Sequence, residues 1–415
     1  MGSTIRTRKL GPPRASVPPV KLRVAVGVLV ALVSLALGCG SGESDRDPSA
    51  TPSPVATSTP MPTGLEPAPT APPVLWVAGC GADARLGCGC TRFGDYCERG
   101  VLARSDDLGR TWTRQYFDSG LGSVAFASAL DGWAVGPGGI VLHTVDGGVS
   151  WTRKEDGIEV PAAATARGVN AFDVVRFLDA RRGIMSGWGT TDEVAGSFGP
   201  ITLYRTQAFV LLTEDGGASW RPAPIDGAPA IEGGRGAAAC FTESGIGVIA
   251  RERTPLLLSR DAGRTWQSMP ATADFPHALD VACERDESIG LSGFNLVVRS
   301  DDGGLTWTTV ADAGYNCCYA PLDFTSELRG WRGGNQLQRT DDGGLTWVTV
   351  DAAIPPGFEI HALRFATADE GLWVATGAGG VTHDGGLTWE PAIVVPFRDG
   401  IFNLSDIAVV DAGAR

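Results

Sequence analysis

An eight-residue pattern, Ser/Thr-x-Asp-x-Gly-x-Thr/Ser-Trp, occurs seven times in this chain and constrains its fold more than any other feature. The copies run from Ser105 to Trp112, Thr144 to Trp151, Thr213 to Trp220, Ser259 to Trp266, Ser300 to Trp307, Thr340 to Trp347 and Thr382 to Trp389. Their central acids, Asp107, Asp146, Asp215, Asp261, Asp302, Asp342 and Asp384, are spaced by 39, 69, 46, 41, 40 and 42 residues. Self-similarity at about 40–45 residues is the beat of a propeller of four-stranded blades. The step of 69 contains an insertion.

Each residue type in the pattern has a physical reason. Asp accepts hydrogen bonds from N–H groups of its own turn. Gly supplies the positive φ of a tight hairpin. Ser or Thr opens the next strand, and Trp offers a large apolar surface that can lock one blade to its neighbour. The pattern therefore reads as a folding device. Calcium is the rival reading, but one firm acid per copy falls short of the several oxygens calcium takes.

Strand patterns fit around each copy. In the second repeat Ser123–Ala127, Gly132–Gly136 and Gly139–Thr144 precede the pattern, and Trp151 begins a fourth strand. The seventh repeat, from His361 onward, copies this order. The first repeat opens at Val74 on what aligns with a second strand, while Ser405–Val410 aligns with a first strand. An all-β, seven-bladed propeller is predicted over 74–411, its ring closed by the C-terminal strand in the N-terminal blade.

The repeated turn is identified as the Asp box, and the repeats resemble the bacterial neuraminidase repeat. Three readings follow from that resemblance. Sialidases share the boxes but use an arginine triad, a Tyr–Glu nucleophile and an Arg-Ile-Pro motif; that tripeptide is missing here, and Tyr96, Tyr116, Tyr204, Tyr315 and Tyr319 are the only tyrosines. Xyloglucan-type glycosidases pair acids across two propellers, and this chain has one. Seven boxes, with phrases such as Asp131-Gly132-Trp133-Ala134-Val135-Gly136, look like the photosystem II assembly and stability factor family, whose members are scaffolds for membrane-protein partners. The expectation is a non-catalytic scaffold binding protein or glycan, in assembly of an envelope or membrane complex. A sialidase-like glycosidase is the alternative, although no carboxylate pair can be named as general acid and base.

Residues 1–23 are basic, and Val24–Gly38 is an apolar run of the length of a signal-peptide core, short for a membrane span. Leu35-Ala36-Leu37-Gly38-Cys39 resembles a bacterial lipobox, with Ala36 where that family usually has Leu. The resemblance implies cleavage of 1–38 and lipidation of Cys39. Residues 39–73 then form a Pro/Thr/Ser-rich tether that buries too little to fold. The expected location is the extracytoplasmic face of the cell envelope. The net charge of -13 becomes more negative once the basic leader is removed, which disfavours nucleic acid. A monomer without metal or cofactor is expected.

The chain has 9 Cys, so eight remain if Cys39 is lipidated, an even number for an oxidising compartment. Cys80, Cys88, Cys90 and Cys97 lie in an insertion between Gly79 and Val101 and read as two local disulfides. A four-Cys zinc site is the rival, though Cys88-Gly89-Cys90 lacks the usual two-residue gap. Cys240 and Cys283 occupy matching first-strand positions in neighbouring repeats and could bridge two blades. Cys317-Cys318 is a vicinal pair with two pairings open. The second insertion, roughly Gly189 to Ala208, is an equal candidate for binding or decoration. His143, His277, His361 and His383 are scattered and read as surface or packing residues.

Overall fold

A computed structural model describes residues 72–81, 99–195, 202–227, 237–251, 254–269, 278–283, 287–293, 296–312, 321–352, 354–355, 358–396, 399 and 402–411. The strands follow in chain order. The first blade begins with β1 (Val74–Gly81), β2 (Gly100–Ser105) and β3 (Thr113–Phe117). The second holds β4 (Ser123–Phe126), β5 (Gly132–Val135), β6 (Val141–Thr144) and β7 (Thr152–Arg153). The third holds β8 (Val169–Phe177), β9 (Gly183–Ala195), β10 (Thr202–Thr213) and β11 (Arg221–Pro222). A short β12 (Ile225–Asp226) precedes the fourth blade of β13 (Ala237–Phe241), β14 (Gly247–Arg251), β15 (Leu257–Ser259) and β16 (Trp266–Ser268). The fifth is β17 (Ala278–Cys283), β18 (Ile289–Gly293), β19 (Leu296–Ser300) and β20 (Thr308–Asp312). The sixth is β21 (Leu322–Phe324), β22 (Gly330–Arg332), β23 (Leu337–Thr340) and β24 (Val348–Val350). The seventh is β25 (Ala362–Phe365), β26 (Gly371–Val374), β27 (Ala378–Thr382) and β28 (Glu390–Ile393), and β29 (Phe402–Val410) ends the chain.

These strands form seven sheets, each built on four antiparallel strands, so the all-β, seven-bladed propeller predicted from the repeats holds. β29 pairs with β1 from Val74↔Val410 to Gly81↔Phe402, with a bulge between Ala78 and Gly79. The C-terminal strand is thus the innermost strand of the N-terminal blade, as the alignment of Ser405–Val410 implied. β12 adds a parallel fifth strand to the fourth blade, pairing Ile225 with Trp266. Strand patterning did not anticipate it.

The core is divided into seven apolar clusters, one at each junction between blades. Trp112 packs with Leu372, Val374 and Val381 of the seventh blade. Trp151 packs with Trp76 and Leu102 of the first, Trp220 with Trp133 of the second, and Trp266 with Val174 and Leu212 of the third. Trp307, Trp347 and Trp389 repeat the arrangement at the remaining junctions. Every Trp of the repeated turn therefore packs against the preceding blade. Edge-on ring contacts, at 5.7 Å for Trp76–Trp151 and 5.5 Å for Trp133–Trp220, suit the aromatic quadrupole.

The seven turns share one hydrogen-bond scheme. The first Ser/Thr hydroxyl donates to the Asp Oδ1 at 2.7–2.8 Å and accepts the N–H of the fifth-position Gly at 2.7–2.9 Å. The seventh residue gives its N–H to Oδ1 at 2.8–2.9 Å and its hydroxyl to Oδ2 at 2.5–2.6 Å. Both Asp oxygens are thus engaged inside their own turn. The fifth-position Gly also sits against the preceding blade: a Cβ on Gly148 would lie 2.2 Å from the Trp76 ring.

Strand alternation gives the propeller two faces. The repeated turns, joining third to fourth strands, and the links from first to second strands leave from one face, called here the turn face. The links from second to third strands and from blade to blade leave from the other, the connection face.

Candidate functional site

Seven first strands ring the axis, in the order β29, β4, β8, β13, β17, β21 and β25. A side-chain link crosses each junction of this ring. Asp406 Oδ2 accepts the Val124 N–H at 3.0 Å, and Ser123 Oγ accepts the Val175 N–H at 3.2 Å. Arg176 Nε donates to the Ala239 carbonyl at 3.1 Å. A disulfide joins Cys240 to Cys283, with Cα atoms 5.7 Å apart. Asp280 Oδ2 accepts the Leu322 N–H at 3.0 Å, and Asp323 Oδ2 accepts the Phe365 N–H at 2.6 Å. His361 Nδ1 lies 3.1 Å from the Leu404 carbonyl; a carbonyl only accepts, so Nδ1 carries a proton.

Charged side chains fill the axis. Arg176 makes a two-pronged bond to Asp406, 2.8 Å to each oxygen, and the hydroxyl of Ser123 donates to the same carboxylate at 2.7 Å. Arg364 pairs with Asp323 at 2.9 Å. Arg251, itself buried, pairs with the fully buried Asp173. Burial pushes the Asp173 carboxyl above its ordinary range, against the pull of Arg251. Burial likewise raises Asp323 against the pull of Arg364, and the neighbouring Asp280 adds to the rise. The Asp323 charge in turn holds Arg364 above its ordinary value, with Asp280 and Asp406 contributing.

The lumen between these groups is about 40 Å³, lined in part by Ser123, Asp173, Asp280, Ala362, Arg364 and Asp406. That is room for about three waters. Most of its wall comes from the beginnings of first strands, so it lies toward the connection face.

The second insertion is a ribbon on that same face. β9 and β10 pair from Thr213↔Gly183 out to Thr202↔Ala195, while β8 pairs with β9 only as far as Gly189. The chain before β8 adds one step, with Arg167 N–H on the Thr190 carbonyl at 3.0 Å. Beyond Thr190, among the described residues, these two strands continue alone for five residues on β9, roughly 16 Å at ordinary strand rise. A bulge between Arg205 and Thr206 twists the ribbon where it leaves the blade.

The structure separates the sequence candidates. The turn acids Asp107, Asp146, Asp215, Asp261, Asp302, Asp342 and Asp384 lie on the turn face, away from the lumen. Their carboxyls are all held below the ordinary range. For Asp146 and Asp302 the Ser150 and Thr306 hydroxyls are the main cause, and each falls to about 2. For Asp215 and Asp384, also about 2, slight burial opposes but turn hydrogen bonds outweigh it. His143 faces Asp131 at 2.9 Å and stacks on Trp133, and His383 bonds Glu370; both are on the turn side. Among the described histidines only His361 reaches the lumen. Cys80 is disulfide-bonded. Cys39, Cys88, Cys90, Cys97, Cys317, Cys318 and His277 lie outside the described residues, and so does the interior of the first insertion. Among the described residues no group of three or more His, Cys, Asp or Glu is arranged to hold a metal ion.

Sequence reasoning missed the axial charges. Their signal was present: Asp173 and Arg176 interrupt an otherwise apolar run, Phe172-Asp-Val-Val-Arg-Phe177, as Asp280, Asp323, Arg364 and Asp406 do in their strands. Charged residues in innermost strands point to a polar axis.

No protein-family model and no curated protein matches this sequence. Solved structures with related architecture include YCF48 bound to D1 peptide, at 18% identity over 65% of this chain and 79% of that one, TM-score 0.47. YCF48 from Cyanidioschyzon merolae is 14% identical over 82% of this chain and 97% of its own, TM-score 0.49. The GH74 enzyme of Niastella koreensis is 14% identical over 72% of this chain and 53% of its own, TM-score 0.33.

Proposed function

We propose that this chain is a non-catalytic, lipid-anchored scaffold outside the cytoplasm, binding a protein or glycan partner on the connection face of its propeller. The observation that carries the reading is the convergence of the polar lumen and the projecting β9–β10 ribbon on one face of a ring braced at every junction. A braced ring holds its loops in fixed relation, which suits a docking platform. The axial acids support binding over glycoside hydrolysis: Asp173, Asp323 and Asp406 are each bound to a guanidinium, and the lumen has water-sized dimensions. Export is supported by the Cys240–Cys283 disulfide, which suits an oxidising compartment. The anchor rests on the sequence around Cys39; Cys39→Ala should release the protein from the membrane fraction, and unchanged retention would sink that part.

Thr190 and Thr206 face each other in the hairpin register, so residues 191–205 can be replaced by an Asn-Gly turn that keeps the bonds of Thr190 to Gly168, Arg167 and Asn170. Cross-linking pull-down from intact cells should then lose the adducts captured by the native chain, at an unchanged melting temperature. Undiminished capture would contradict the reading, as would robust turnover of fluorogenic sialosides or β-glucans by the purified protein.

A further inference from the structure

Two blades receive an added outer strand from the connection before them. In the third blade the Trp220 N–H donates to the Gly157 carbonyl at 2.7 Å, and the Trp220 carbonyl accepts the Glu159 N–H at 2.8 Å. Between these bonds Ile158 bridges in parallel to Trp220 and packs on the cluster that holds its ring. The fourth blade does the same with β12. The Trp266 N–H donates to the Pro224 carbonyl at 2.9 Å, and Ile225 pairs with Trp266 and packs on its cluster. In both donors Ile is followed by an acid, Ile158-Glu159 and Ile225-Asp226. Both cover their Trp, leaving Trp220 1% and Trp266 2% exposed.

The second blade has the same edge and no described donor. Lys154 gives its N–H to the Val141 carbonyl at 2.9 Å, so strand alternation turns the N–H and C=O of Trp151 outward. Among the described residues none bonds the Trp151 backbone, and its ring is only half-buried. The connection before it explains why. β3 pairs with β2 along its whole length, and residues 118–122 then lead straight to β4, with Leu121 buried and the Gly122 N–H on the Val135 carbonyl at 2.8 Å. Nothing in that short link is left to reach Trp151. Trp307 and Trp347 are also half-buried, but the connections before them fall largely outside the described residues.

We propose that the outer edge of the second blade, at Trp151, is a strand-addition site for an extended segment of a partner protein in which Ile, Leu or Val is followed by Asp or Glu. The two filled edges define the chemistry: main-chain bonds to the Trp on either side of an apolar residue that closes over its ring. Charge selects the acid. In the fourth blade the donor acid Asp226 lies opposite Gln267, the residue after the Trp. In the second blade that stretch is Thr152-Arg153-Lys154, with two cations. Their own-chain partners, Glu155 and Asp156, are 80% and 91% exposed, so these pairs hold the cations weakly. Trp307 and Trp347 are followed by Thr308-Thr309-Val310 and Val348-Thr349-Val350, which carry no charge. The site lies on the outer rim and does not rest on the connection-face reading.

The probe is acetyl-Asp-Gly-Ile-Glu-Val-amide, a copy of residues 156–160, titrated into the full chain and followed by NMR. Ser precedes Trp only at Trp151 and Trp220, so labelling the Ser carbonyl carbon and the Trp nitrogen selects one open and one paired amide. Without peptide the Trp151 amide should exchange with deuterium at least about tenfold faster than that of Trp220. Peptide should shift the Trp151 signal and slow its exchange, leaving Trp220 in place. N-methylation of the peptide Glu removes the N–H meant for the Trp151 carbonyl and should abolish the shift. Gln for Glu in the peptide, and Arg153→Glu in the protein, should each weaken binding by about threefold to tenfold. Arg153 is exposed, so its exchange leaves the blade intact. An unmoved Trp151 signal, or equal affinity for the N-methyl peptide, overturns the site. So does a Trp151 amide already protected in the native chain. If Leu65→Asp then frees that amide, the occupant is this chain's own Gly64-Leu65-Glu66, which carries the same pattern, and the partner is ruled out. Ribbon replacement is read by partner capture in cells, so failure of the scaffold reading and failure of this edge are separate results.

Discussion

The two faces of this propeller are built on opposite principles. On the turn face one eight-residue solution is used seven times, and equivalent hydrogen bonds differ by no more than about 0.2 Å between copies. On the connection face the links differ from blade to blade, and one of them rises as a ribbon. The difference follows from what each face must do. A repeated turn has to end a hairpin and place a Trp into the preceding blade, so its residues are spoken for. A connection only has to reach the next strand, and chain beyond that requirement is free to meet a partner.

The largest effect should come from opening the ring that both faces share. Truncation after Gly400 removes β29 and with it buried Phe402, Leu404, Ile407 and Val410, worth roughly 2 kcal/mol each. It also leaves β1 as an open edge. The truncated chain should lose its cooperative thermal transition by circular dichroism; melting at the full-length temperature would show that closure is dispensable.

Next in size is the axial network. Asp406→Ala strands Arg176 and removes acceptors from Ser123 and Val124, and should cost roughly 3 kcal/mol in urea denaturation. A change under about 1 kcal/mol would mean solvent replaces the pair without penalty.

Acid should separate the two regions. Turn carboxyls lie below their unfolded value, so the stability they contribute is present above about pH 4 and is lost as pH falls toward 2. Asp173 and Asp323 are shifted upward, so they take up protons first and their protonation does not remove stability in that window. Carboxyl-carbon NMR titration should therefore show two axial groups protonating above the ordinary aspartate range and the turn groups well below it. A common midpoint would erase the distinction.

The smallest effect sharpens the turn itself. Ala262 adopts φ 61 and Leu108 φ 60 at the position where five copies have Gly. Ala262→Gly should raise stability slightly, by about 0.5 kcal/mol, as relief of left-handed strain exceeds the added chain entropy. Gly263→Ala, one residue on, should destabilise, because its Cβ would sit 2.9 Å from Ile184. Thermal melts of the pair measure both signs; a Gly263→Ala variant as stable as the native chain would remove the close-approach argument.

How much of this was legible in the sequence follows the same division. The repeated turn is local, each residue acting within its own eight positions, so blade number and closure could be read directly. The axial network is not local. Asp406 and Arg176 are 230 residues apart and meet only because the ring closes. The insertion at Gly189–Ala208 could be located from the step of 69 residues, but its form as paired strands extending past the blade depended on register. β12 went unseen because two residues carry no periodicity.

The most direct measurement is site-specific photo-cross-linking in intact cells. A photoreactive residue at Thr191, where the ribbon leaves the connection face, is compared with one at Leu345, exposed on the turn face. Adducts to a partner from Thr191 and none from Leu345 are the predicted result. Adducts from Leu345 with none from Thr191 would place the partner on the stereotyped face and contradict the account.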